Sequence, residues 1–371
     1  MNTRCLEALV KLTIVLILSI GVCATGSELE EQWNRTIPEF CWSLSVSDDG
    51  TVAALEVDGS ETVLGVYSVN GAVIKRWAPP SGKQFEYSAI DGAYVVAQYG
   101  YGAVVLFGDE GREQLWAKSA EDMWSTSVSL SAASGRVAFA NRPMPERSTV
   151  WCYTVAGEMV WKNTVPSFVT DTCISASGNV VIAGEKYGPM YDEGVHAVYL
   201  FSPSGTEMWR VETESPVIDV RVSPQAKYVV AGLDNGGMLL LDKTGQIELS
   251  RDDIGGWVDI AAGAHRIVAS SLSGGITCLD FSGDILWRGP DNTYFLGDQG
   301  NLFISEDGSI TATLYSAGID PDNAVYIFNS MGEVIYKQMD SSTTPRVAVS
   351  PNGGYVSVAF GGRLRLFKAT Q

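Results

Sequence analysis

The chain has 371 residues, 46% hydrophobic and 18% charged, a balance that excludes an extended disordered protein and permits a large buried core. Its 43 acidic against 25 basic residues leave a formal charge of −18, which argues against nucleic acid and anionic lipid as partners and favours solubility. Two histidines and six cysteines, with no CxxC, HxxxH or Gly-x-Ser-x-Gly pattern, give zinc and serine hydrolase chemistry no motif.

At the N-terminus, Arg4 and Lys11 are followed by an unbroken apolar run, Leu12 to Val22, and then by small residues at Val22-Cys23-Ala24 or Ala24-Thr25-Gly26. These are the three parts of a secretory signal, predicted over residues 1–24, with one domain over 25–371 and an extracytoplasmic location, secreted or at the cell surface. The run falls short of the roughly 20 residues of a membrane span. An uncleaved N-terminal anchor is the alternative, and it is the only expected link to a membrane. Asn34-Arg35-Thr36 is a formal glycosylation acceptor.

Leu29 to Trp33 reads like the last strand of a repeat unit, comparable with Gly111 to Trp116, but no other strands of that unit precede it. Full units follow over 40–77, 78–116, 117–161, 162–209, 210–250, 251–287 and 288–336, and the clearest copy is Val217 to Leu249. In it Val220 and Val222 alternate with Asp219 and Arg221, Ser223-Pro224 turns the chain, Tyr228 to Ala231 runs back, and Asn235-Gly236-Gly237 turns again. Met238 to Leu241 then returns, and Thr244-Gly245 leads to Ile247 and Leu249. Short apolar or alternating runs between Gly, Asn and Asp signals are strands in hairpins, so each unit is a four-stranded antiparallel meander.

The last unit, 337–371, stops one strand early, and the orphan over 28–36 supplies what it lacks. The expected fold is therefore all-β, an eight-bladed propeller whose last blade is closed by the N-terminal strand, which removes the open edge of the ring. Seven blades is the alternative if the lead-in Arg288 to Gly300 is not part of a blade. Gly157 and Trp161, Gly205 and Trp209, Gly283 and Trp287, and Gly332 and Tyr336 are each four apart, which predicts a tight turn followed by a ring that packs between blades.

The copies LLLDKTGQIEL, VYLFSPSGTEMW and LDFSGDILW resemble quinoprotein-type (PQQ-like) β-propeller repeats, whose outer strand carries a docking tryptophan. The Gly-His and Trp-Asp signature of WD40 blades is absent. The resemblance covers essentially all of 25–371 and implies a scaffold. Members that use pyrroloquinoline quinone are longer and often carry a vicinal disulfide. No adjacent cysteine pair occurs here, so no cofactor is expected. The resemblance extends to non-enzymatic scaffold members such as the propeller lipoprotein of the bacterial outer-membrane barrel-assembly machine.

Cys41, Cys152, Cys173 and Cys278 lie in strand-like runs, where cysteine is a small core residue, and Cys152 with Cys173 is the one pair of consecutive units to test for a bridge. His196 and His265 read as turn residues at strand starts. Tyr191-Asp192-Glu193-Gly194 and Asp320-Pro321-Asp322-Asn323 are oxygen-rich but lack calcium-loop spacing, so no metal site is expected.

Aligned first strands place Ser43, Ser127, Asp171, Asp219 and Arg346 at one position, with Asp259 one pleat away, which predicts a polar axial channel with Asp171, Asp219, Asp259 and Arg346 at its mouth. Units three and four insert Asn141 to Ser148 and Glu185 to His196 at the second turn, on the face that also carries the connectors between units. These insertions bring Pro143, Met144, Tyr187, Met190 and Tyr191 beside Tyr99 and Tyr101. Aromatic and Met side chains on neighbouring loops fit a binding surface. The expected function is a monomeric, non-catalytic propeller that binds a protein or glycan partner there. The alternatives are a small-molecule binder or quinoprotein-like enzyme at the axial mouth, and a self-associating wall component.

Overall fold

The computed structural model describes residues 28–99, 102–119, 125–141, 147–185, 194–254, 256–271, 275–290, 294–295, 302–316, 323–340 and 345–370. They form eight antiparallel sheets arranged as the blades of a propeller. Seven blades are simple meanders in chain order from the axis outward, and the first strands are Phe40–Val46, Phe85–Asp91, Ser125–Ser131, Phe168–Ile174, Val217–Val222, Trp257–Ala261 and, in two pieces, Tyr294–Phe295 with Leu302–Ile304. Both pieces pair with Ile310–Ser316, so Tyr294–Phe295 of the lead-in belong to a true seventh blade and the count is eight.

Each sheet is covered on both faces by its neighbours, and this explains the sequence pattern. The middle strands are buried on both sides and read as continuous apolar runs: every residue of Ala197–Phe201 is buried. Outer strands face water on one edge and alternate, as in Glu207–Glu212, where Trp209 and Val211 turn in between exposed neighbours. Among the described residues the only helix is the single 3-10 turn Ala262–Ala264, and no helix is long and apolar enough to cross a membrane.

The eighth blade is composite. Arg346–Val349, Tyr355–Phe360 and Arg363–Thr370 pair in order, and Glu28–Thr36 completes the sheet antiparallel to Arg363–Thr370, from Glu28 opposite Thr370 to Thr36 opposite Arg363. The Ile37 N–H bonds the Gly362 carbonyl at 2.9 Å, which ties the seam at the second-turn end.

The rings lie between blades, as their repetition predicts, but the tryptophans dock on the glycine turn of the following blade. A methyl group added to Gly205 would lie 2.5 Å from Trp161, one at Gly157 2.8 Å from Trp116, one at Gly332 2.5 Å from Trp287, and one at Gly71 2.8 Å from Trp33. Glycine is needed there twice over, since Gly205 also holds a φ of +87°, where a side chain is strained. Some indoles add a hydrogen bond to the same turn: Trp77 Nε1 donates to the Gly111 carbonyl at 2.7 Å and Trp116 Nε1 to that of Val155 at 3.0 Å. Blade 8 has no third turn, because its third and fourth strands lie at opposite ends of the chain. Blade 7 accordingly ends in Tyr336, which packs on Phe367 at 5.0 Å and accepts a hydrogen bond from Arg365 at 3.3 Å.

The bridge between Cys152 and Cys173 is not made, and all four described cysteines are free. Cys152 packs with Ile174 and Ile182 between blades 3 and 4, whereas Cys173 faces the core between blades 4 and 5 with Val220 and Val229. Their thiols are thus on opposite sides of one sheet, because neighbouring strand residues point to opposite faces.

Closure gives the first test. Trp33→Ala is expected to cost about 3–5 kcal/mol, as for other buried Trp truncations, and deletion of residues 28–36 more than that, since it also opens the seam. Urea unfolding reads both. A deletion variant that unfolds at the parent's midpoint would contradict the composite blade.

Candidate functional site

The first strand of every blade is an edge, and its inward backbone groups have no sheet partner. Side chains from the preceding blade supply one. Thr172 N–H bonds Ser127 Oγ at 3.0 Å, Val220 N–H bonds Asp171 Oδ2 at 3.2 Å, Val258 N–H bonds Asp219 Oδ2 at 2.8 Å and Ile304 N–H bonds Asp259 Oδ2 at 2.8 Å. Between blades 1 and 2, Ser43 Oγ accepts from Ser88 N–H at 3.2 Å and donates to its carbonyl at 3.1 Å. Arg346 makes the reversed bond at the seam, donating from Nε to the Trp42 carbonyl at 2.7 Å. The repeated polar position therefore links neighbouring blades at six of the eight junctions around the axis among the described residues.

Arg221 joins three of these links. Its Nη1 lies 2.9 Å from Asp171 Oδ2 and 2.6 Å from Asp219 Oδ1, and its Nε lies 4.0 Å from Asp259 Oδ1. Sequence alignment gathers the three aspartates but not this arginine, whose signal is its place two residues beyond Asp219 and hence on the same strand face. Burial, with Asp171 close by, pushes the Asp219 carboxyl up to about 7. Burial raises Asp259 as well, while the three carboxylates hold the Arg221 guanidinium well above its ordinary range. Arg346 stands apart from this group, at the seam.

A channel of about 430 Å³ runs along the axis, lined among others by Ser43, Ser127, Asp171, Arg221 and Arg346. Towards the second-turn face its rim is set by β-bulges. The register slips between Cys41 and Ser43, Phe85 and Tyr87, Ser125 and Ser127, Val169 and Asp171, and Val217 and Asp219, so Trp42, Glu86, Thr126, Thr170 and Ile218 are extra residues at one level of five consecutive blades. Bulges re-aim side chains and are frequent beside functional sites.

Tyr99 ends the second strand of blade 2, half-buried, with its ring edge-on to Phe85 at 5.8 Å. Tyr101, Pro143, Met144, Tyr187, Met190 and Tyr191 lie outside the described residues, as do residues 1–24, Tyr191 to Glu193 and Asp320 to Asp322. Asn34 is exposed on the closing strand. The His265 ring stacks on Phe281 at 5.2 Å, and the His196 carbonyl accepts a bond from Thr213 N–H at 2.9 Å, so each histidine sits in a strand connection. No group of three His, Cys, Asp or Glu side chains among the described residues is placed to hold a metal ion.

The architecture is that of an eight-bladed β-propeller, and the repeats over residues 100–252 are consistent with the PQQ-like type. Residues 100–252 match the family model described as outer membrane protein assembly factor BamB. No curated protein matches in sequence. Among solved structures the chain is similar to the C-terminal WD40 domain of Sif2, at 14% identity and a TM-score of 0.71 over 94% of this chain and 100% of that one. The computationally designed Ika8 protein is similar at 15% identity and a TM-score of 0.68 over 92% and 100%. The Dos1 propeller is similar at 13% identity and 0.67 over 92% and 95%. At these identities the likeness is one of fold.

Arg221→Met would leave three nearly buried carboxylates without a counter-charge, and its expected cost at neutral pH is about 3–5 kcal/mol. The Asp219 carboxyl adds a pH dependence. Its folded value of about 7 lies above the ordinary 3.8, so the folded state binds its proton more tightly than the unfolded chain does. That contribution to stability is full below about 4 and is lost as pH rises through about 7. Denaturant titrations across this window are expected to show a smaller Arg221→Met deficit at the acid end, and Asp219→Asn to flatten the wild-type slope. Equal slopes in wild type and Asp219→Asn would refute the assignment.

Proposed function

We propose that this protein is an exported, non-catalytic propeller scaffold that captures a partner on the face carrying the second turns. The observation that carries this reading is how the axial polar groups are used. Asp171, Asp219, Asp259 and Arg221 satisfy one another and the backbone of the next blade, so they are committed to holding the ring. Among the bulge residues the Trp42 carbonyl and Thr170 Oγ1 share in these links, while the Trp42 ring stays exposed at the rim.

Chain direction supports the same face. Thr36 pairs with Arg363 beside the second turn Gly361-Gly362, while Glu28 pairs with Thr370 at the other end of the strand. Glu28 therefore lies at the face opposite the second turns. The apolar run at Leu12 to Val22 supports export. The matched description, an outer membrane protein assembly factor, favours a protein over a glycan as the partner.

A second reading places a small molecule in the axial channel, on the strength of its volume of about 430 Å³. The two separate by mutation. If the face is the working surface, joint replacement of Met144, Tyr187 and Tyr191 by alanine is expected to abolish partner capture in envelope crosslinking while the melting temperature stays within about 2 °C of the parent, the ordinary range for surface changes. Undiminished capture by that variant, or a co-purifying small molecule whose affinity changes in Asp219→Asn, would move the function to the axis. A glycan in the crosslinked product would replace the protein partner.

A further inference from the structure

Six of the tryptophans are spoken for as wedges between blades or at the seam: Trp33, Trp77, Trp116, Trp161, Trp209 and Trp287. Trp42 is different. It is 49% exposed, the only tryptophan among the exposed large apolar side chains of the described residues, and it is the extra residue of the blade 1 bulge. The bulge of the next blade presents Glu86 at the same level. Between them lies a cleft of about 450 Å³, open to the second-turn face, with Phe40, Val57 and Phe85 in its wall.

The cleft is built on firm supports. Thr62 Oγ1 donates to the Phe85 carbonyl at 3.0 Å and accepts from the Phe85 N–H at 2.6 Å, locking the two blades together beneath it. The Trp42 backbone is held by Arg346, and its ring leans on Phe40 at 6.3 Å. Gln98 donates to Glu86 at 3.4 Å and keeps that carboxylate at the rim. Glu61 also lines the cleft, while no lysine or arginine does. Among the described residues no ion pair neutralises Glu86 or Glu61. Arg346 lines the axial channel, which Trp42 and Glu86 also border, and does not line the cleft.

An exposed indole face beside uncompensated carboxylates matches one kind of occupant. We propose that Trp42 and Glu86 form a subsite for an arginine side chain of a protein partner, its guanidinium stacked on the Trp42 ring and bonded to the Glu86 carboxylate, with Glu61 adding to the field. A planar guanidinium meets both demands at once, since it stacks flat on aromatic faces and forks onto carboxylates, whereas an ammonium, though drawn to a ring face, can do neither. This rests on the partner-binding reading of the same face and adds the chemistry by which a partner would be recognised.

The test is a titration of the full protein, isotope-labelled at tryptophan, with N-acetyl-arginine amide, following the indole resonance that Trp42→Phe removes. N-acetyl-citrulline amide, of the same shape without the charge, N-acetyl-lysine amide and N-acetylglucosamine are the comparison probes. A saturable shift of the Trp42 signal with the arginine amide is expected, stronger than with lysine and absent with citrulline. Glu86→Gln should weaken it by about fivefold, with the melting temperature unchanged because both side chains are exposed. Equal binding of citrulline, a response only to the sugar, or no shift with any probe would each overturn the subsite. Partner capture separates the two levels: a Trp42→Ala, Glu86→Gln protein that still captures its partner as the parent does leaves the face reading intact and removes this one.

Discussion

The docking of an outer-strand ring onto the glycine turn of the next blade is the contact on which the rest of this molecule depends. A single four-stranded sheet cannot bury its two faces alone, and its stability comes from neighbours on both sides. A wedge that spans from each blade to the next fixes both their spacing and their rotation. Because glycine and ring belong to different repeats, each blade is specified jointly with its neighbour, and a side chain at Gly205 or Gly332 would displace the Trp161 or Trp287 of another unit. The axial links, from Ser43 through Asp259, repeat this logic at the inner radius with polar groups. Apolar wedges on the outside and hydrogen bonds on the inside thus hold each blade at two radii, which leaves the turns at either face open to variation.

Much of this was legible in the sequence, and the reason is repetition. One unit such as Val217 to Leu249 is ambiguous, but eight copies in register turn short apolar runs into a topology, and the orphan strand at Trp33 marks the seam. What repetition did not disclose are the features that belong to single blades or to pairs of them. The ring and glycine four residues apart invite the idea of a contact within one hairpin, yet the contact runs between hairpins, which only the packing of sheets decides. Arg221 breaks the pattern of its equivalents and so drops out of an alignment that gathers the aspartates around it. A bulge adds one residue without any mark in composition, so nothing in the sequence sets Trp42 apart from the six tryptophans that are wedges. Cys152 and Cys173 are near in blade order, which left a bridge open, but they are separated by the thickness of a sheet.

Aspartate at the axis also shows why a shared scaffold does not carry a shared chemistry. A carboxylate that accepts a backbone N–H from the adjoining blade is a structural device. Three such carboxylates around one guanidinium form a compact charged knot whose net charge is lower than its acidic members suggest, in a protein whose surface is strongly acidic elsewhere.

The seam has a consequence in time. Glu28 to Thr36 finds its sheet partner in Arg363 to Thr370, so this strand of the propeller, made early, waits for one made late. Until then it is an unpaired edge whose Trp33 ring has only its blade 1 contacts to dock on. Blades 1 to 7 can form as the chain appears, each from contiguous residues, but the circle closes in one late event that spans nearly the whole polypeptide. Contacts of such sequence separation form slowly, and a chain halted before its final strand would hold a row of finished blades with both ends of the arc open to other molecules.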